Sequence, residues 1–132
     1  MYKFIAKAVS VREDECCIVI GLADDEVDPS RYLILQNAKT YDQQDRSLGV
    51  DHAHLEVGGG LDSCYGGLEK VSFDGGILEL LLSADAQKKL GVAEGIEVLM
   101  AKQENYEQLE EALNKICVAE NIPFLPSRSS DK

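Results

Sequence analysis

Tyr32-Leu33-Ile34-Leu35-Gln36 is a short apolar run with a β-branched residue at its centre and an amide at its end. A run of this kind predicts a β-strand that is covered on both faces or lies at the centre of a sheet. Because side chains alternate along a strand, Tyr32, Ile34 and Gln36 share one face, and Leu33 and Leu35 share the other. We expect the face that ends in a phenol and an amide to carry specificity.

Six further strands are predicted around this run from alternating or continuous apolar patterns. The first two are close enough to form a hairpin over residues 2–22, and Asp74-Gly75-Gly76 is a strong signal for another hairpin. The seven predicted strands are residues 2–11, 16–22, 31–38, 52–57, 65–73, 77–83 and 96–101.

Two helices are predicted late in the chain, and residues 40–50 read as a loop or a single helical turn. Ser83 caps a short helix that Gly91 ends. A longer helix is predicted over 105–120, where Asn105 and Gln108 have the spacing of a capping box. Its apolar stripe at helical spacing indicates packing against a sheet. The stripe consists of Tyr106, Leu109, Leu113, Ile116 and Cys117.

The order of these elements predicts the α+β class. We expect one mostly antiparallel sheet of about seven strands, with the short helix and the C-terminal amphipathic helix packed on it. The chain of 132 residues suits a single domain, which we place at residues 1–122. Residues 123–132 are predicted to form a flexible tail.

The chain carries a formal net charge of −11, and its acids are spread evenly along its length. Such a surface disfavours nucleic acid and anionic membranes as partners and favours a basic protein or a cation. The alternative is that the acidity serves solubility alone. The N-terminal residues lack the apolar core of a signal peptide, and the four cysteines show no metal or redox spacing. We therefore expect a soluble cytoplasmic protein without a cofactor.

Three candidate chemical sites arise from the residues. His52, His54 and Glu56 would share one face of a strand over 52–57 and could ligate zinc, iron or manganese, although a polar strand face explains them as well. Cys64 follows a glycine loop, but acidic surroundings should not lower the pKa of its thiol. The acidic loop 24–28 lacks the spacing of a calcium loop and suits a solvated turn.

Several short motifs stand in an order that resembles a known family. They are the acidic turn 23–26, the run 32–36, His54-Leu55-Glu56-Val57, Tyr65-Gly66-Gly67-Leu68 and the late amphipathic helix. The chain is similar, from about Phe4 to about Ile116, to the bacterial immunity protein 10 family, whose members are predicted to protect cells from polymorphic toxins. The run Gly58-Gly59-Gly60 is unusually rich in glycine for that loop. The resemblance depends most on Tyr32, Gln36, Glu56, Tyr65, Gly66 and Gly67, for which structural reasons remain an alternative.

The resemblance implies a non-enzymatic immunity protein that binds a cognate toxin domain, which the acidity predicts to be basic. We expect the interface on two acidic loops, with an aromatic anchor beside them. The predicted partner-binding residues are Asp24, Asp25, Glu26, Asp28, Tyr41, Asp42 and Asp45. Two alternatives stay open: a small metal-binding protein or metalloenzyme that uses the histidine strand, and an interaction domain unrelated to toxins. Homodimerisation through an edge strand is also left open.

Overall fold

Ten strands and three helices form in the part of the chain that the computed structural model describes, which is residues 1–58, 63–74, 76–101 and 106–125. The strands are β1 (Tyr2–Ala6), β2 (Ala8–Glu13), β3 (Cys17–Ala23), β4 (Tyr32–Ala38), β5 (His54–Val57), β6 (Ser63–Tyr65), β7 (Leu68–Asp74), β8 (Ile77–Leu82), β9 (Gly95–Met100) and β10 (Phe124–Leu125). The helices are α1 (Gln43–Leu48), α2 (Ala84–Leu90) and α3 (Tyr106–Glu120). No helix in these ranges is long and apolar enough to cross a membrane.

The strands form two five-stranded sheets, which corrects the prediction of a single sheet of about seven strands. The first sheet has the order β1-β9-β8-β7-β10, and the second has the order β2-β3-β4-β5-β6. Most neighbours are antiparallel, but β1 pairs with β9 and β10 pairs with β7 in parallel. The α+β class is confirmed, and one hydrophobic cluster contains side chains from both sheets, α2 and α3.

The division into two sheets begins at Lys7. Up to this residue the buried side chains are Tyr2, Phe4 and Ala6, whereas after it Val9 and Val11 are the side chains that pack on the core. The buried face therefore changes from even to odd positions, because the chain leaves β9 and starts to pair with β3. The predicted hairpin over residues 2–22 is confirmed only for its β2–β3 part.

β4 lies in the middle of the second sheet, as its apolar run predicts. Its alternation is also confirmed, because Leu33 and Leu35 are buried whereas Tyr32 and Ile34 are only half-buried and Gln36 is exposed. The prediction of a strand covered on both sides is wrong. The second sheet packs on the core through one face only and presents the other face outward.

Local signals place the helices correctly. The Ser83 hydroxyl accepts a hydrogen bond from the Ala86 amide, and Gly91 ends α2 in the left-handed conformation. The stripe of α3 is buried at Leu109, Leu113, Ile116 and Cys117. The stripe also includes the buried Ala112, whereas Tyr106 is half-buried. The predicted capping residue Asn105 lies outside the described residues.

The last described residues return to the first sheet. Phe124 and Leu125 pair with Val71 and Ser72 as β10, although this segment was predicted to belong to a tail. The remainder of that tail, residues 126–132, lies outside the described residues, as do Gly59 and Gly60 of the glycine run and Gly75 of the predicted hairpin. The β7–β8 pairing that this hairpin connects is present.

Candidate functional site

The surface with the most varied chemistry is the outward face of the second sheet, which we call the outer face. Strand alternation and the pairing register assign its side chains, and all of them are half-buried or exposed. The outer face consists of Ala8, Ser10, Arg12, Cys17, Val19, Gly21, Ala23, Tyr32, Ile34, Gln36, Ala38, His54, Glu56, Ser63 and Tyr65. It contains four of the six residues on which the family resemblance depends.

Tyr32 and Glu56 form a hydrogen-bonded pair on this face. The Tyr32 hydroxyl donates to Glu56 Oε2 at 2.9 Å, and the carboxylate beside it raises the pKa of the phenol. The Tyr32 ring lies over Gly58, where a Cβ atom would stand 2.2 Å from two ring carbons. The Gly58 carbonyl accepts a hydrogen bond from the Tyr2 hydroxyl at 2.9 Å. This part of the face is therefore fixed by contacts from β1, β4 and β5.

A polar and aromatic row crosses the face next to this pair. Gln36 is paired with His54, and His54 is paired in turn with Tyr65, so that three neighbouring strands each contribute one side chain. The His54 and Tyr65 rings lie 4.7 Å apart at an interplanar angle of 51°. Tyr65 is 47 % exposed, which leaves a large part of a rigid aromatic side chain available to a partner.

An apolar groove of about 390 Å³ opens at the other end of the outer face, across β2, β3 and β4. Gly21 contributes no side chain there, which leaves space between its neighbours. The groove is lined by Ala8, Val9, Ser10, Gly21, Leu22, Ala23, Pro29, Tyr32 and Ile34. This groove was not predicted from the sequence, although an isolated glycine within the β-branched run of β3 is a signal for an irregular strand surface.

The acidic loop between β3 and β4 adjoins the groove, because Ala23 and Pro29 line it from the two ends of the loop. Asp24 accepts hydrogen bonds from the Ser30 amide and hydroxyl, at 3.0 and 3.1 Å. Asp25 accepts a hydrogen bond from the Asp28 amide at 2.8 Å. These two carboxylates hold the loop, while the Glu26 and Asp28 side chains are exposed on either side of Val27.

The second predicted acidic loop forms the start of α1. Asp42 and Asp45 make a capping box, in which each carboxylate accepts a hydrogen bond from the backbone amide of the other residue. The Tyr41 hydroxyl donates to the buried Asn37 side chain and accepts from the Ala38 amide at 3.2 Å. Burial raises the pKa of Tyr41. The Tyr41 hydroxyl is thus engaged inside the domain.

The two motif glycines have backbone roles. Gly66 and Gly67 both have positive φ angles, 74° and 89°, in the short connection that passes from the second sheet to the first. A Cβ atom at Gly67 would also stand 2.4 Å from the Ala86 side chain of α2. A backbone role is therefore sufficient to explain why glycine stands at both positions, as the structural alternative proposed.

The proposed metal trio does not share a strand face. β5 begins at His54, so His52 precedes the strand, and the His52 ring lies 3.5 Å from a Glu120 oxygen and 3.7 Å from an Asp51 oxygen. The described residues contain no group of three or more His, Cys, Asp or Glu side chains that could hold a metal ion. The single-face interpretation of residues 52–57 is therefore wrong.

Cys64 is not placed as a nucleophile. Its side chain is buried, its Sγ lies 3.6 Å from the Gly66 carbonyl oxygen as a hydrogen-bond donor, and burial raises the pKa of the thiol. This agrees with the expectation that the pKa is not lowered. A thiol with a raised pKa is a poor nucleophile at neutral pH.

A family model described as immunity protein 10 matches residues 5–109, which include all of the second sheet, α1, α2 and most of the first sheet. No curated protein matches the chain.

Proposed function

The chain belongs to the immunity protein 10 family, and from this premise we propose that it neutralises a cognate bacterial toxin by binding the toxin domain directly. The observation that carries the proposal is the length of the family match, which includes every strand of the outer face. We further propose that the protein acts in the cytoplasm of the bacterium and without catalysis of its own, as a component of a polymorphic toxin system.

We propose that the toxin domain presents a basic surface to this protein. The net charge of −11 gives long-range attraction to such a surface and disfavours nucleic acid and anionic membranes. Electrostatic steering of this kind can raise association rates by about 10- to 1000-fold, which suits a protein that must capture a toxin before it acts. The acidic loop 24–28 adjoins the apolar groove and is the part of the interface that we expect to make the charged contacts.

The proposal is tested by recovering the partner and inhibiting it. The tagged protein is used to capture partners from a lysate of its native bacterium at low salt, and bound proteins are released by raising the salt concentration and identified by mass. The C-terminal domain of a captured multidomain protein is then purified, and its toxic activity is measured against increasing amounts of the immunity protein. Complete inhibition at equal molar amounts is expected. Full activity of that domain in the presence of a molar excess would contradict the proposal.

The location of the charged contacts is tested with two variants of equal charge. One carries Glu26→Lys and Asp28→Lys in the acidic loop, which spares the carboxylates of Asp24 and Asp25 that hold the loop together. The control carries Glu69→Lys and Glu79→Lys on the first sheet. The loop variant should bind the toxin domain more weakly at low salt than the control does. Equal binding by the two variants would place the charged contacts elsewhere.

Self-association through an edge strand stays a prediction. β2 and β6 end the second sheet, and β1 and β10 end the first. Light scattering coupled to size exclusion distinguishes a monomer from a dimer, before and after the toxin domain is added.

A further inference from the structure

We infer that the apolar groove on the outer face receives one large apolar side chain from a basic segment of the toxin domain. The inference rests on the proposed function and specifies the chemistry of the partner at one place. It also moves the centre of the predicted interface from the acidic loops to the strands β2, β3 and β4.

Gly21 lines the groove at the middle strand of the three that form it. Most of the described glycines are required by backbone conformation or by packing. Positive φ angles occur at Gly49, Gly66, Gly67, Gly76 and Gly91. A Cβ added at Gly58 or Gly95 would stand 2.2 Å from a neighbouring atom. Gly21 alone in this set has neither property. Among the described residues, a Cβ added there would meet only the Ser10 side chain, at 3.9 Å, which is ordinary contact. Neither backbone conformation nor packing within the domain requires the glycine, which is unfavourable in a strand.

The groove walls are mostly apolar. Of the nine lining residues, Val9 and Leu22 direct their side chains to the core, and among the other seven only Ser10 and Tyr32 carry a polar group. The Tyr32 ring and the Ile34 side chain are the bulky apolar groups of the groove. An open apolar surface of this kind gains free energy when an apolar side chain displaces water from it. Because the groove crosses three strands, a partner side chain has contacts on several sides, as in the pockets that receive interface anchors.

The charge beside the groove is mainly negative. The loop that joins two of its lining residues, Ala23 and Pro29, contains four acidic residues. The Arg31 side chain is directed away, because its Nη1 donates to the Lys3 carbonyl at 2.7 Å and its guanidinium lies over the Tyr2 ring at 5.4 Å. Lys7 and Arg12 are cations on the β2 side of the groove, but the four acids of the loop outnumber them. The loop is therefore where cations of a bound segment find opposite charges.

A second copy of this chain is a poor occupant by the same reasoning. Two copies would each bring a net charge of −11, and the repulsion between them opposes close approach. A segment with lysine or arginine on both sides of a leucine, methionine or phenylalanine has the complementary pattern.

The chemistry is tested with three synthetic probes and amide chemical shifts. The peptides are Lys-Lys-Leu-Lys-Lys, Lys-Lys-Gly-Lys-Lys and Glu-Glu-Leu-Glu-Glu, each with blocked ends. The first should move the amide signals of Gly21, Ala23 and Ile34 in a saturable manner, the second should move mainly signals of the acidic loop, and the third should move neither. Absence of shifts at Gly21 and Ile34 with the leucine peptide, or equal shifts with the glycine peptide, would overturn the inference.

A groove-filling variant tests the same site with the toxin domain. Gly21→Val places a β-branched side chain in the groove, and its Cβ would be in ordinary contact with Ser10, at 3.9 Å. Because valine also favours strands, the fold should be kept and the melting temperature should not fall. Ser72→Val adds a β-branched side chain at a half-buried outward position of β7, on the first sheet, and serves as the control. We expect Gly21→Val to weaken binding by at least about tenfold and the control to leave it unchanged.

The outcomes separate this inference from the proposed function. If the wild-type protein fails to inhibit the captured toxin domain, the proposed function itself is contradicted. If the wild type inhibits and a folded Gly21→Val variant binds equally well, only the assignment of the groove is wrong. If Gly21→Val and Ser72→Val lose binding to the same extent, the effect is not specific to the groove and the groove is again not the receptor.

Discussion

At the scale of single residues, Tyr32 connects the central strand to the rest of the outer face. Its hydroxyl binds Glu56 on the neighbouring strand, its ring covers Gly58, and it lines the groove. One side chain therefore belongs to both the polar part and the apolar part of the candidate interface. Changes at Tyr32 or beneath it should affect stability and recognition together, whereas changes at Gly21 should affect recognition alone.

Gly58→Ala should destabilise the protein by crowding the Tyr32 ring. The new Cβ would stand 2.2 Å from two ring carbons, so the ring or the end of β5 must move. Overpacking of this kind costs roughly 1–3 kcal/mol, which we expect as the loss in the free energy of unfolding measured with urea. A double-mutant cycle provides the control, because Gly58→Ala should cost much less in a Tyr32→Ala background. An equal cost in both backgrounds would show that the backbone, and not the ring, requires the glycine.

The Tyr32–Glu56 pair predicts a pH dependence on the alkaline side. The pKa of Tyr32 is raised above its ordinary value of 10.0, chiefly by the hydrogen bond to Glu56. Because the pKa is higher in the folded state than in the unfolded state, the stabilisation is fully present below about pH 10 and is lost as the pH rises through the folded-state pKa. Below pH 10, Tyr32→Phe should therefore have a lower free energy of unfolding than the wild type. Above pH 10 this difference should become smaller, because the wild type loses the stabilisation that the variant lacks.

Absorbance titration of the phenolates checks the cause of this shift. Glu56→Gln keeps an acceptor for the Tyr32 hydroxyl and removes the negative charge beside it. The late-titrating phenolate that disappears in Tyr32→Phe should ionise at lower pH in Glu56→Gln. A titration curve unchanged by Glu56→Gln would show that the charge of Glu56 does not raise the pKa.

At the scale of elements, the sequence predicts what short-range contacts determine. The cap at Ser83, the end of α2 at Gly91 and the buried stripe of α3 each involve residues a few positions apart, and all three are confirmed. The assignment of strands to sheets depends on distant partners. The parallel pairing of β1 with β9 joins residues that are far apart along the chain. The sequence around Lys7 shows this change of sheet only as a switch of the core-facing side chains from even to odd positions.

The candidate site shows the same limit. The shared face of Tyr32, Ile34 and Gln36 follows from the alternation of one strand and is confirmed, whereas its outward direction was not predicted. The contacts of Tyr32 with Glu56 and of His54 with Tyr65 depend on the register of neighbouring strands, which the sequence does not show. The prediction that His52, His54 and Glu56 share a strand face is wrong because the strand begins two residues later than the alternation at His52 suggested.

The α1 helix allows the charge of Asp42 to be separated from its role as a helix cap. Its carboxylate accepts the Asp45 amide at 2.8 Å, so Asp42→Ala should lower the free energy of unfolding by about 1 kcal/mol. Asp42→Asn keeps an acceptor at the cap and should cost only a few tenths. The matched pair is compared by urea denaturation and by toxin binding. Equal stability of the two variants would show that the cap does not contribute, and weaker binding by Asp42→Asn would assign a role to the charge.

At the scale of the whole molecule, acidity acts on folding and on association in opposite directions. A net charge of −11 attracts a basic partner, but it also makes the folded chain repel itself. The ion pairs in the described part of the chain offset this repulsion only locally. The clearest of them joins Glu13 to Lys39 at 2.9 Å and to Lys115 at 3.0 Å, which connects β2 to the end of β4 and to α3.

Added salt should therefore stabilise the fold and slow capture of the toxin. Between low salt and physiological ionic strength the screening length falls from about 30 Å to about 8 Å, which removes most repulsion between separated carboxylates. If this relief amounts to about 1 kcal/mol, the melting temperature rises by roughly 4 °C. Over the same range, the rate of association with a basic toxin domain should fall by about tenfold or more, which stopped-flow mixing measures.

The Glu69→Lys and Glu79→Lys variant tests whether self-repulsion causes the effect of salt on stability, because its four-unit change reduces the net charge from −11 to −7. Its melting temperature should be less sensitive to salt than that of the wild type, since less self-repulsion remains to be screened. A wild-type melting temperature that falls with salt would mean that ion pairs such as Glu13 with Lys39 outweigh the repulsion. In that case the net charge of −11 would not destabilise the fold. The size of that charge could then not be explained as a compromise between the stability of the fold and attraction to the toxin.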